Sequence, residues 1–189
     1  MRSPFHFLIK PLGGNRYKHT KDINGVDFIV SSSQEDHTAT NRYAEVVEPP
    51  IVYDGDIKKG DILIVHHNVF RKYYDMKGRE KSGPSFFMDD LYIIDNEQFF
   101  LYKDPSVEKW IAPNPYCFIE PINKEESLLN DGGAHENLLG KIKYINSELK
   151  SKGLNVGDVI SFQPESEYEF DIDGEKLYRM FTRNICMLV

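Results

Sequence analysis

The residues best suited to chemistry in this chain are its acids, its histidines and its two cysteines. Asp89-Asp90 and the acid-rich stretch from Glu165 to Asp173 supply carboxylates. Acid–base catalysis also needs a nucleophile or substrate-facing base and a partner that orients it, and no such set can be assembled here from spacing. These acids read as solvated turns. His6, His19, His37 and His135 are scattered among polar or strand residues, with no Ser or Cys beside them in a recognisable motif. His66-His67 invites a metal, but neighbours on a strand point to opposite faces and do not readily share one ion. Cys117 and Cys186 have apolar neighbours and lack CxxC or Cys/His spacing, so both read as buried free thiols. A single disulfide stays open in an oxidising compartment. There is no glycine-rich phosphate cradle and no dinucleotide fingerprint. The expectation is a protein that is not an enzyme, with no catalytic residue, no metal and no cofactor of its own.

One short apolar segment stands out against polar surroundings. Asn24-Gly25 is followed by Val26-Asp27-Phe28-Ile29-Val30 and then by the polar run SSSQEDHTAT from Ser31 to Thr40. A short apolar stretch in polar, turn-rich surroundings buries too little to offset its own ordering, so it stays unstructured until a hydrophobic groove accepts it. The competing reading is an ordinary core strand, which the β-branched composition allows.

Composition sets the frame around that segment. Twelve Phe and eleven Tyr, with many Ile and Val beside them, favour pleated, half-buried surfaces, and the chain reads as all-β. A net charge of -7 argues against a phosphate-tracking surface, so nucleic acid is not an expected partner. No apolar run is long enough to cross a bilayer as a helix, so no membrane partner is expected. The opening MRSPFHFLIKPLGG is interrupted too early, by Lys10 and Pro11, to be a secretory signal. The expected location is cytoplasmic.

A tandem repeat organises the rest. Phe5 to Leu12 (FHFLIKPL) reads like Tyr116 to Ile122 (YCFIEPI), and Ile57 to Val65 (IKKGDILIV) like Leu154 to Phe162 (LNVGDVISF). Gly60-Asp61 and Gly157-Asp158 form tight turns, glycine supplying positive φ and aspartate bonding nearby backbone. A glycine-bearing hairpin then follows in each copy, Tyr74 to Gly78 in the first and Phe170 to Gly174 in the second. Each copy closes on an apolar strand pair, Ser85 to Asp95 and Lys176 to Val189. From Pro11 to Gly60 the chain advances 49 positions, against 36 from Pro121 to Gly157, so the first copy has the longer early loop. Phe99 to Tyr102 and Gly140 to Ile145 read as strands, and Ser147 to Lys152 as a short helical turn. The copies are placed at residues 1–104 and 105–189, with the long loop at about residues 13–42.

Each copy resembles the GroES-type co-chaperonin family, across nearly the whole chain. The likeness is carried in the second copy by Gly140-Lys141-Ile142, by Val156-Gly157-Asp158-Val159-Ile160-Ser161-Phe162 and by Arg183-Asn184-Ile185-Cys186-Met187. In the first it is carried by Ala44-Glu45-Val46-Val47, Lys59-Gly60-Asp61-Ile62-Leu63-Ile64-Val65 and Asp90-Leu91-Tyr92-Ile93-Ile94. The family's common form has one unit where this chain has two. Pro49 to Asp56 replaces most of its roof hairpin, and the short second loop offers only Leu128-Leu129 as an apolar contact. What the resemblance implies is two tandem GroES-like small β-barrels in a homo-oligomeric ring, in a tandem form that a phage could encode. That ring would cap a GroEL-type chaperonin over an unfolded client, with ATP bound and hydrolysed by the chaperonin. In the family the long early loop is mobile when free and folds onto the chaperonin through an apolar edge after a glycine turn. Gly25, Val26, Phe28, Ile29 and Val30 match that edge. A structural or assembly ring of a kind a virus could use, without a chaperonin, is the alternative.

Overall fold

The computed structural model describes residues 1–17, 20–23, 26–29, 39–122 and 138–189. The chain divides into two compact units, Met1–Lys109 and Trp110–Val189, so the division falls five residues beyond the boundary placed near Asp104. Unit 1 runs β1 (Phe7–Pro11), β2 (Thr20–Ile23), β3 (Val26–Ile29), β4 (Tyr43–Glu48), β5 (Ile62–Val65), β6 (Lys72–Tyr74), β7 (Glu80–Ser82), β8 (Phe86–Met88), β9 (Leu91–Ile94) and β10 (Phe99–Lys103). Unit 2 runs β11 (Tyr116–Pro121), β12 (Leu139–Tyr144), the short helix α1 (Ser147–Ser151), β13 (Val159–Phe162), β14 (Tyr168–Ile172), β15 (Glu175–Phe181) and β16 (Ile185–Leu188). The all-β expectation holds.

The repeat is a repeat of topology. Unit 1 has a six-stranded sheet in the order β10-β5-β4-β1-β9-β8, and unit 2 has one in the order β16-β13-β12-β11-β15-β14. Every ladder in both sheets is antiparallel. The registers also agree: Ile9 faces Val46 and Pro11 faces Ala44, as Ile119 faces Ile142 and Pro121 faces Gly140, each pair beside a bulge at the same place. The two Gly-Asp turns repeat bond for bond. Gly60 (φ +89°) donates its N–H to the Val46 carbonyl at 2.8 Å, and Gly157 (φ +98°) donates to Ile142 at 2.8 Å. The Asp61 carboxylate accepts the Lys58 N–H and the Asp158 carboxylate the Asn155 N–H, both at 2.8 Å.

Strand order corrects the sequence alignment in two places. The topological partner of the hairpin at Phe170–Gly174 is β8–β9, turning at Asp89-Asp90, and not Tyr74–Gly78. Tyr74–Gly78 belongs to β6–β7, a separate two-stranded ladder inserted in unit 1 alone. The closing strand of unit 1 is β10, which pairs with β5 as β16 pairs with β13; Leu91–Ile94 occupies the position of β15. A short 3-10 turn precedes the closing strand in both units, Asn96–Gln98 and Thr182–Asn184.

Each sheet curls around an apolar core of its own. Phe7 on β1 and Phe99 on β10 lie three strands apart in the order, which in a flat sheet would separate them by about 14 Å. Their rings instead meet edge to face at 5.4 Å. Phe7, Ile9, Val46, Leu63, Val65, Tyr92 and Ile94 fill that core in unit 1, and Cys117, Ile119, Ile142, Ile160, Phe162 and Met180 fill its counterpart. The bulges at Leu8/Ile9, Phe99/Leu101, Phe118/Ile119 and Ser161/Phe162 bend the strands to follow that curvature. Among the described residues no ladder joins the two end strands of either sheet, and no helix is long and apolar enough to cross a membrane.

The cysteines differ, contrary to the expectation of two buried thiols. Cys117 faces the core of unit 2, whereas Cys186 sits on the end strand β16 at the bulge and is exposed. Burial pushes the Cys117 thiol up to about 12, so it remains protonated and unreactive through the physiological range. Iodoacetamide on the native protein is therefore expected to add one carbamidomethyl group, at Cys186, with Cys117 modified only after denaturation; peptide mass mapping checks this, and native labelling at Cys117 would contradict it.

Candidate functional site

The long excursion between β1 and β4 is anchored at both stems. A 3-10 turn at Leu12–Gly14 leads the chain out, with Gly13 and Gly14 at φ +75° and +76°, a region other residues enter at a cost. Tyr17 and Thr40 then form an isolated antiparallel bridge. Asn41 stitches the stems together: its amide nitrogen donates to the carbonyls of Leu12 (3.0 Å) and Asn15 (2.8 Å), and its amide oxygen accepts the Tyr43 N–H (2.9 Å). Its own N–H donates to the Arg16 carbonyl at 2.9 Å. Tyr17, Thr40 and Asn41 are all buried, so the two stems of the excursion are held against unit 1 as far as Tyr17 on one side and Thr40 on the other.

Arg16 supplies the second anchor. Its Nε donates to the Phe70 carbonyl (2.9 Å), Nη1 to the Ser82 hydroxyl (3.1 Å) and Nη2 to the Arg71 carbonyl (3.3 Å). The guanidinium also lies 5.5 Å from the centre of the Tyr92 ring and 6.0 Å from that of Phe86, within cation–π range. Burial raises the Tyr92 phenol above its ordinary value, and the Arg16 charge works in the opposite direction. Beside it, the Tyr17 hydroxyl accepts the Lys72 N–H at 2.7 Å.

Beyond the bridge, β2 and β3 pair antiparallel, with Thr20 opposite Ile29 and Ile23 opposite Val26. This ladder stands outside the six-stranded sheets. Of the five candidate residues, Val26, Phe28 and Ile29 lie on β3, whereas Gly25 and Val30 fall outside the described residues. Val26, Phe28 and Ile29 therefore lie on a strand whose ladder partner is β2. Leu128-Leu129 in unit 2 also lie outside the described residues.

The other sequence candidates have structural roles. His66 and His67 follow the end of β5 and their rings lie 4.2 Å apart, so they do not point to opposite faces as strand neighbours would. Among the described residues no group of three or more His, Cys, Asp or Glu is placed to hold a metal ion. Asp89, at φ 48°, forms the β8–β9 turn. The acidic stretch of unit 2 is partly a strand and not one solvated turn: in β14, Phe170 and Ile172 are buried while Glu169 and Asp171 face out, Glu169 pairing with Lys176 at 2.7 Å. The Asp173 carboxylate accepts the Trp110 indole N–H at 2.8 Å.

No protein-family model matches the chain, and no curated protein matches it.

Proposed function

We propose that the protein is a co-chaperonin, a ring-forming lid that caps a GroEL-type chaperonin over an unfolded client in the cytoplasm while the chaperonin binds and hydrolyses ATP. The observation that carries this reading is the placement of Val26–Ile29. In the first of two units whose six-stranded sheets share one strand order, it sits in an excursion from the β1–β4 connection, pinned at its root and outside the unit's sheet. The curled sheets support GroES-like barrels as the underlying unit. A strand pair presented in this way can enter an apolar groove without disturbing the fold that carries it. Several such pairs on one ring bind together through effective concentration, so weak single contacts suffice and release stays possible.

A second reading, a structural or assembly ring without a chaperonin, draws on one observation, that Val26–Ile29 is already paired with β2. Refolding separates the two. With a GroEL-type chaperonin, ATP and a client that needs encapsulation, adding this protein is expected to raise the yield of active client well above chaperonin alone. An unchanged yield, from an intact oligomer tested with its own chaperonin, favours the structural ring.

A further inference from the structure

We infer that the β6–β7 hairpin of one copy docks on the acidic β14–β15 hairpin of a second copy of this chain. Between β5 and β8 unit 1 inserts residues 66–85, whereas unit 2 passes from β13 to β14 through residues 163–167. The insertion runs against the charge of the chain. Residues 71–82 hold five Lys and Arg against two Asp and Glu, a net of +3 in a protein of net -7. Both acids are occupied within the hairpin: Asp75 accepts the N–H groups of Lys77 (2.8 Å) and Arg79 (2.9 Å), and Glu80 pairs with Lys72 at 2.6 Å. Lys77, Arg79 and Lys81 are exposed, and none of them has an ion pair among the described residues. Tyr73, directly opposite Lys81, and its neighbour Tyr74 are about half exposed, and Met76 at the tip is fully exposed. Aromatic and methionine side chains beside arginine are the residue types that interfaces concentrate. The stem is firm: Val69 and Phe70 are fully buried in the unit 1 core, and Arg16 ties the Phe70 and Arg71 carbonyls to the Ser82 hydroxyl.

The complement is carried by unit 2. From Glu165 to Glu175 the chain has six acids and no Lys or Arg. Lys176 and Lys143 pair with Glu169 and Glu175, and acid remains in excess. Strand β14 is the end strand of its sheet; Glu169 and Asp171 face out from it, and Glu165 is exposed just before it. A basic, aromatic hairpin on one unit and an acidic one on the other attract between copies, while like faces repel, so charge selects the orientation as well as the contact. Because the two patches differ, the contact is heterologous, the kind that repeats from copy to copy and closes into a ring where the rotation allows. It gives the ring of both readings above a physical basis and needs no chaperonin.

Sedimentation velocity on the full chain tests this. Wild type is expected to self-associate at about 0.05 M salt and to associate at least about tenfold more weakly at about 1 M, where the screening length falls to about 3 Å. Lys77→Glu with Arg79→Glu and Lys81→Glu reverses the charge of the basic hairpin, and Glu165→Lys with Glu169→Lys opposes that of the acidic one. Each variant alone, its fold checked by circular dichroism, is expected to sediment as a single chain. An equimolar mixture of the two is expected to reassemble, since each then meets its opposite charge. Wild type that stays a single chain at both salts would overturn the inference, as would folded variants that assemble unaided or fail to reassemble on mixing. If the variants keep the wild-type assembly and the hairpin variant alone loses binding to a fluorescent oligothymidylate, the hairpin is a single-stranded nucleic-acid surface and the inference falls. If assembly responds as expected but no form binds a chaperonin, the contact between copies stands and the chaperonin reading falls.

Discussion

Phe7→Ala is expected to destabilise unit 1 by about 3–5 kcal/mol, the cost of emptying a fully buried aromatic site that cannot collapse. Phe7 has no exposed surface and holds two rings edge to face, Tyr53 at 4.8 Å and Phe99 at 5.4 Å. Those contacts join the sheet's middle to its end strand, so the substitution removes the packing that keeps the sheet curled. The neighbours offer little relief, because Ile9, Val46, Val65 and Ile94 are themselves essentially buried. Native-state hydrogen exchange checks this: protection should fall in β1, β4 and β5, while β11, β12 and β13, built around a separate core, keep theirs. Equal loss in both units would mean that they unfold as one.

Ile29→Asp is expected to weaken binding to a GroEL-type chaperonin by at least about a hundredfold while leaving the fold intact. Burying one isoleucine in an apolar groove contributes about 1.5–3 kcal/mol, and a carboxylate in its place adds a desolvation penalty. In the proposed ring every copy would carry the change, so the losses would compound through avidity. Strand β3 lies outside the six-stranded sheet, so the thermal midpoint of the variant should stay within about 3 °C of wild type. Affinity by calorimetry beside the melting curve separates the two effects. A variant that binds as wild type does would remove Val26–Ile29 from the interface.

The elements read from sequence were those whose signals are local. The opening strands, the two Gly-Asp turns, the strand at Phe99 and the short helix after Asn146 each follow from residues adjacent in the chain, and each lies where those residues placed it. Neighbour relations between strands were less legible. Tyr74–Gly78 carries a stronger turn signature than Asp89-Asp90, whose turn requires a non-glycine residue at positive φ, so the inserted hairpin was matched to Phe170–Gly174 in place of β8–β9. Only the ladders, which depend on residues far apart in sequence, reveal which hairpin belongs to the repeat. The Arg16 anchor was illegible for a related reason. Two of its three acceptors are backbone carbonyls, at Phe70 and Arg71, and every residue has one. The apolar run at Val26–Ile29 was visible as composition. That its root is pinned, and by which residues, is a tertiary fact.

The most direct measurement is binding of the intact, purified protein to a GroEL-type chaperonin from the same source, followed by co-sedimentation with and without ATP. A stable complex that forms with ATP, is lost without nucleotide and fails to form with Ile29→Asp is the result expected of a chaperonin lid. No complex under any nucleotide condition would contradict that account and leave the paired units as a structural ring.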